Sequence, residues 1–350
     1  EIYFNGGTPK DPKQIRFETN NAYYISGVIK SLLFAILDKE QLRESELNVT
    51  DPINKPAIAH TLNYRFLTNA RAQGTGKPPK DELSSKMRNT FLQNLPDITF
   101  TDSDDVGPFI LPILKTVEHS PSIVSISFPS VNIGKDSVYS IFANFFANSG
   151  NKLLHVRVSN KADGNFVTYI KNIGRPETSI NSLSFSNTAL NKEELTAISD
   201  LAKNKDIKFL SFENAVQDTK FFADEFFTES LSSKLIMLSF DFTKGANFED
   251  ALVKLPFLKS LSLKNCNLEI GDVLQRLSNA DLKNLKMLNL SGNECKVVPT
   301  TFSIKNLERI DLNNVTFSEN TFKGIIEQIL GLNHKIILHI LDLNVAQKEY

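Results

Sequence analysis

The sequence predicts an α/β solenoid in which a parallel sheet lines the concave side and helices cover the convex side. Two observations carry this expectation. An apolar residue followed three and five positions later by two more recurs ten times, at a mean step of 27 residues. Between these triplets the apolar period changes from that of a strand to that of a helix. A unit of this size cannot bury its apolar face alone, so neighbouring units must stack. Helices need more room than strands, and the stack therefore bends with the strands inside.

Taken in chain order, residues 1–94 are expected to form divergent repeats or a capping region, and residues 95–350 the array itself. In the first part Ile2/Phe4, Leu47/Val49 and Tyr64/Phe66 read as strands, Ala22 to Leu42 and Lys80 to Leu92 as helices, and the Gly- and Pro-rich piece Ala70 to Pro79 as a mobile loop. The triplets of the array begin at Leu95, Ile123, Leu153, Ile180, Ile207, Leu235, Leu258, Leu285, Leu307 and Leu338. Their second column reads Ile98, Ile126, Val156, Leu183, Leu210, Leu238, Leu261, Leu288, Ile310 and Leu341, and their third is equally apolar. Second and third positions share the core face because strand residues two apart point the same way. In the third column Phe128, Phe185, Phe212 and Phe240 recur at regular intervals and form a packing spine. Asn191 to Leu201 shows the intervening helix, with Leu195, Ile198 and Leu201 at helical spacing behind an Asn191/Glu194 capping box. The last triplet, Leu338 to Leu343, has no capping segment after it, so the natural chain is expected to continue, and the start at Glu1 reads as a fragment boundary.

The segment Leu285-Lys286-Met287-Leu288-Asn289-Leu290-Ser291-Gly292-Asn293 resembles the leucine-rich repeat consensus LxxLxLxxN residue for residue. Leu258 to Leu268 is nearly as close, with Cys266 in the Asn position. The resemblance implies a right-handed α/β horseshoe and a buried Asn293 that satisfies backbone groups between turns. Elsewhere that column holds Val131, Lys161, Thr188, Ala215, Thr243 and Val315, so the Asn ladder is broken and the array resembles the ribonuclease-inhibitor type of repeat. Segments such as Ser120 to Phe128 and Ile180 to Asn187 look like the CARMIL family of actin-regulatory scaffolds. That resemblance implies a cytoplasmic, non-enzymatic protein acting on the actin cytoskeleton.

The chain carries no catalytic or cofactor signature. Gly74-Thr75-Gly76-Lys77 lacks the spacing of a phosphate loop, and Pro78-Pro79 blocks the helix that should follow. The histidines His60, His119, His155, His334 and His339 have no metal-ligand spacing with Cys or acidic residues, and no serine sits in a nucleophile elbow. Thirty-nine basic against forty acidic residues leave a formal net charge of −1, so no global field draws the chain to nucleic acid. The most apolar stretch, Ile25 to Leu37, is too short for a transmembrane span. Two cysteines, Cys266 and Cys295, suit a reducing, cytoplasmic compartment and are expected to be buried thiols that do not face each other.

Binding of another protein on the concave face is what remains. Strand residues just before the second core position include Phe209, Met237 and Met287, exposed and apolar. Phe242 follows on the strand of Met237, so these side chains form a candidate hot spot. The column between the core positions is small and polar: Ser127, Ser184, Ser211, Ser239 and Ser262. Arg157, Glu213, Asp241, Lys264, Arg309 and Asp311 are expected to set specificity around the patch. The rival readings are a GTPase-activating protein of the Ran-activator type, whose arginine and asparagine have no recognisable counterpart here, and ubiquitin-ligase substrate recognition, for which 1–62 shows no F-box-like segment.

Overall fold

A computed structural model describes residues 2–8, 11–17, 55–73, 78–129, 131, 137–148, 152–216, 221–244, 252, 254–280, 282–332, 334–342 and 344–346. The chain falls into two compact units, one of 1–98 with 103–123 and one of 99–102 with 124–350.

The first unit opens with an antiparallel hairpin, β1 (Ile2–Thr8) and β2 (Asp11–Phe17), in which Ile2 lies opposite Phe17 and Thr8 opposite Asp11. Ile2 and Phe4 are thus on a strand as expected, but in a local hairpin and not in a parallel repeat. Helices α1 (Lys55–Gln73), α2 (Asp81–Leu92) and α3 (Ile110–Val117) follow, α1 packing against both of the others. The strand expected at Tyr64/Phe66 is corrected here, because both residues lie inside α1. Buried Ala59, Leu62, Phe66 and Ala70 recur at steps of three and four, the period of a helix face, while Tyr64 is exposed. The loop expected from Ala70 is corrected for the same reason as far as Gln73, which ends α1. Lys86 Nζ reaches Asp104 Oδ2 at 2.5 Å, tying α2 to the turn ahead of α3. The helix expected over Ala22 to Leu42, the strand at Leu47/Val49 and the Gly74 to Lys77 segment lie outside the described residues.

The fold of the array is a leucine-rich repeat solenoid. Its parallel sheet has ten strands, each beside its neighbour in sequence: β3 (Asp97–Thr99), β4 (Ser125–Phe128), β5 (His155–Val158), β6 (Ser182–Ser186), β7 (Phe209–Glu213), β8 (Met237–Ser239), β9 (Ser260–Ser262), β10 (Met287–Asn289), β12 (Arg309–Asp311) and β14 (Ile337–His339). Strands β11 (Glu294–Cys295), β13 (Thr316–Ser318) and β15 (Asn344–Ala346) make a second parallel sheet. Between sheet strands come α4 (Val138–Asn148), α5 (Phe166–Ile173), α6 (Lys192–Asn204), α7 (Glu229–Ser232), α8 (Ile270–Asn279) and α9 (Glu319–Leu330). Repeat length decides whether a helix fits. The 22-residue step from Leu285 to Leu307 uses β11 and turns instead of a helix.

Strand register matches the sequence columns, since Ile126, Val156, Leu183, Leu210, Leu238, Leu261, Leu288 and Ile310 are successive partners. All are buried, as are the third-column residues from Phe100 to Leu312. The phenylalanine spine stacks where it is continuous, with Phe185 and Phe212 ring centres 5.9 Å apart and Phe212 and Phe240 5.7 Å apart. The last repeat is corrected. Ile310 pairs with Leu338, so Leu338 and not Leu341 holds the second position, and Leu341 is exposed. The run Ile337-Leu338-His339-Ile340-Leu341-Asp342-Leu343 repeats two apolar residues and a polar one, so apolar pattern alone allows registers three residues apart.

Backbone conformation separates those registers. Two residues beyond the third core position the chain turns with positive φ at Asn187, Asn214, Phe242, Asn265, Gly292, Asn314 and Asp342. Asn, Asp and Gly tolerate that conformation best, and six of these seven positions carry one of them. The capping box of α6 forms as expected: Asn191 Oδ1 accepts from the Glu194 amide at 3.1 Å, and the Glu194 carboxylate accepts from the Asn191 amide at 2.6 Å. In the Asn ladder Asn293 sits where expected. Next to Lys161 of that column, the Asn160 side chain accepts from the Val131 amide at 3.1 Å and donates to the Val131 carbonyl at 2.9 Å.

Candidate partner-binding face

Alternation along β7 and β8 turns Leu210 and Leu238 inward and leaves Phe209 and Met237 on the helix-free face of the sheet. These two are register partners on adjacent strands, 36% and 37% exposed respectively. Met287 is 45% exposed in the same column, two strands from Met237 with Ser260 between them. Phe242, 41% exposed, is carried past the end of β8 by the left-handed turn that elsewhere holds Asn, Asp or Gly. The floor column is small and polar, with Ser184, Ser211 and Ser262 half-buried and Ser239 buried.

The charged residues expected around this patch are mostly engaged with one another. Arg157 Nη2 meets Glu213 Oε2 at 2.5 Å, and Ser186 Oγ between them accepts from Arg157 at 2.9–3.1 Å and donates to Glu213 at 3.0 Å. This bridge spans β5, β6 and β7. Arg309 Nε donates to Asp311 Oδ1 at 2.8 Å, and His339 Nδ1 lies 3.3 Å from the same oxygen. Asp241 Oδ1 accepts from Ser262 Oγ at 2.6 Å and from the Lys264 amide at 3.0 Å. Lys264 Nζ stands 5.9 Å from the centre of the Phe242 ring. Partly exposed ion pairs of this kind contribute only about 0–1 kcal/mol each to stability.

Two features were not singled out from sequence. His155 Nδ1 lies 2.6 Å from Ser182 Oγ on the next strand, and burial followed by the nearby Arg157 charge holds the imidazole below its ordinary value. The left-handed column is the other, and its signal was present as the recurring Asn two residues after the third core position.

Cys266 and Cys295 are buried and unbridged. Burial pushes both thiols up to about 12. Since the thiolate is the reactive form, neither is expected to label with iodoacetamide in native protein at pH 8, whereas both should label once guanidinium unfolds it. The unfolded chain releases these protons near the ordinary thiol value and the folded chain does not. Their contribution to stability is therefore full below pH 9 and falls as pH rises from 9 toward 12, which alkaline denaturant titrations of wild type and a double Cys→Ala variant would measure. Among the described residues there is no group of three His, Cys, Asp or Glu placed to hold a metal, and no helix long and apolar enough to cross a membrane.

No protein-family model and no curated protein matches the sequence. Among solved structures the chain is similar to an internalin of Listeria monocytogenes, at 14% identity and TM-score 0.38 over 69% of this chain and 66% of that one. It is also similar to the LRIM1/APL1C complex, at 13% identity and TM-score 0.29 over 65% of this chain and 44% of that one. The leucine-rich repeat domain of APL1B is a third, at 10% identity and TM-score 0.28 over 77% of this chain and 94% of that one.

Proposed function

We propose that this chain is a protein-interaction scaffold, not an enzyme, and that a partner protein docks on the helix-free, concave face of its sheet. The observation that supports this reading most directly is the register pairing of Phe209 with Met237 on adjacent strands, both side chains exposed where alternation leaves no core to receive them. Exposed aromatic and Met side chains above a floor of small hydroxyls suit a buried interface centre, with the bridged Arg157 and Glu213 at its margin. Cytoplasmic location and a role in actin regulation are the finer parts of the proposal, and they rest on the low cysteine usage and the CARMIL-like segments. The remaining charged candidates, Asp241, Lys264, Arg309 and Asp311, and the apolar Phe242 and Met287 complete the proposed surface.

A pull-down from cytoplasmic extract with Phe209→Glu and Met237→Glu combined is expected to lose a partner that the wild type retains. Exposed substitutions of this kind change stability by roughly 0.5 kcal/mol or less, so the melting temperature should stay close to that of wild type. Retention of every partner by the folded variant removes the proposed face. The scaffold reading also expects no acceleration of GTP hydrolysis when the chain is added to Ran-type GTPases, and acceleration would put the activator reading in its place.

A further inference from the structure

The charge distribution around the apolar patch indicates what kind of partner it suits. Lys208 is paired with Asp206 at 3.0 Å, Lys286 with Glu308 at 2.5 Å, and Glu213 with Arg157 at 2.5 Å. Three ionic groups at the border have no counter-ion among the described residues: Asp241, Lys259 and Lys264. Asp241 is the exception in kind, because its Oδ1 already takes two neutral hydrogen bonds. Lys259 and Lys264 flank the strand β9 at its two ends, one on each side of the track running from Phe209 through Met237 to Met287. That track crosses three strand spacings, about 14 Å, or about four residues of extended chain. The exposed area of its three large side chains together with Phe242 is on the order of 300 Å², which suits a short segment more than a broad protein face.

Phe242 strengthens the case. It alone places an aromatic residue in the column of left-handed turns, where the other repeats use Asn, Asp or Gly, and a bulky side chain is strained there. The ring it presents is 41% exposed and lies beneath the Lys264 ammonium. Strain kept for the sake of an exposed ring beside a cation that has no counter-ion among the described residues points to a ligand that contacts both.

Resting on the sheet-face reading above, we infer that the surface made by Phe209, Met237, Phe242 and Met287, with Lys259 and Lys264, binds an acidic peptide segment carrying apolar side chains. The apolar residues cover the track and the carboxylates meet the two lysines. A peptide library displayed on phage tests this directly. Selection on the intact chain is expected to enrich sequences that combine Asp or Glu with Phe, Leu or Ile. Binding of a selected peptide should weaken at least about tenfold in Lys259→Glu/Lys264→Glu, weaken as salt is raised, and disappear in Phe209→Glu. Phe242→Asn should weaken binding while raising the unfolding midpoint, a combination that a merely structural Phe242 does not produce. Failure to enrich any peptide, enrichment of basic sequences, or affinities unmoved by the lysine reversals would overturn the inference. Neutral or basic peptides that still lose binding in Phe209→Glu sink the charge assignment and leave the sheet-face reading standing, whereas peptides indifferent to Phe209→Glu sink both.

Discussion

Phe212→Ala is expected to cost about 3–5 kcal/mol of stability, the range for truncating a fully buried aromatic residue. The Phe212 ring stacks on Phe185 and Phe240, the latter tilted by only 12°, and it takes an edge contact from Phe226 with centres 5.8 Å apart. It therefore joins three consecutive repeats. In a solenoid each repeat is stabilised chiefly by its two neighbours, so a void at such a joint weakens two interfaces at once. Denaturant unfolding followed by circular dichroism should show either a large fall in midpoint or a split into two transitions as the array separates on either side of β7. Phe212→Leu keeps most of the volume and should cost markedly less. A Phe212→Ala loss below about 1 kcal/mol, smaller than the range for such a cavity, would mean that the spine does not carry the coupling between repeats.

What could be read from sequence divides along physical lines. The strand columns were legible because their requirement is strict: two inward positions per strand, both sealed from water, repeated at nearly constant spacing. Every register partner from Ser125 to Arg309 falls in the expected column. At Leu338 the pattern failed, because a run with an apolar period of three satisfies two registers, and strand pairing with Ile310 and the left-handed turn at Asp342 separate them. Tyr64 and Phe66 misled for a related reason: two aromatic residues two apart mimic a strand, whereas the helix is announced only by Ala59, Leu62 and Ala70 farther away. The candidate face was legible as a set of exposed positions. Its ionic wiring was not, because the bridge from Arg157 through Ser186 to Glu213 crosses 56 residues of chain and depends on side-chain reach across three strands.

Asn293→Ala should be comparably damaging although it removes only a small side chain. The Asn293 carboxamide is buried in the turn between repeats. Its oxygen accepts from the amides of Cys266 at 3.0 Å and Leu268 at 3.1 Å, and its nitrogen donates to the carbonyls of Leu263 and Leu290, each at 2.8 Å. Two of those partners belong to the preceding repeat's turn and one to its strand end, so the side chain fastens one unit to the next. Alanine leaves two amides and two carbonyls unpaired away from water. At roughly 1–3 kcal/mol for each stranded group, partial relaxation still leaves a loss of at least about 3 kcal/mol. The preceding repeat shows what a smaller residue can recover there, for Cys266 Sγ donates to the Phe240 carbonyl at 3.2 Å in the equivalent position. Asn293→Cys is accordingly expected to fall between wild type and Asn293→Ala. Hydrogen exchange gives the sharper readout: protection of the Cys266 and Leu268 amides should drop in Asn293→Ala while that of Leu183 and Leu210, several repeats away, changes much less. Equal loss of protection across the array would show that Asn293 supports the fold as a whole and not the junction between these two repeats.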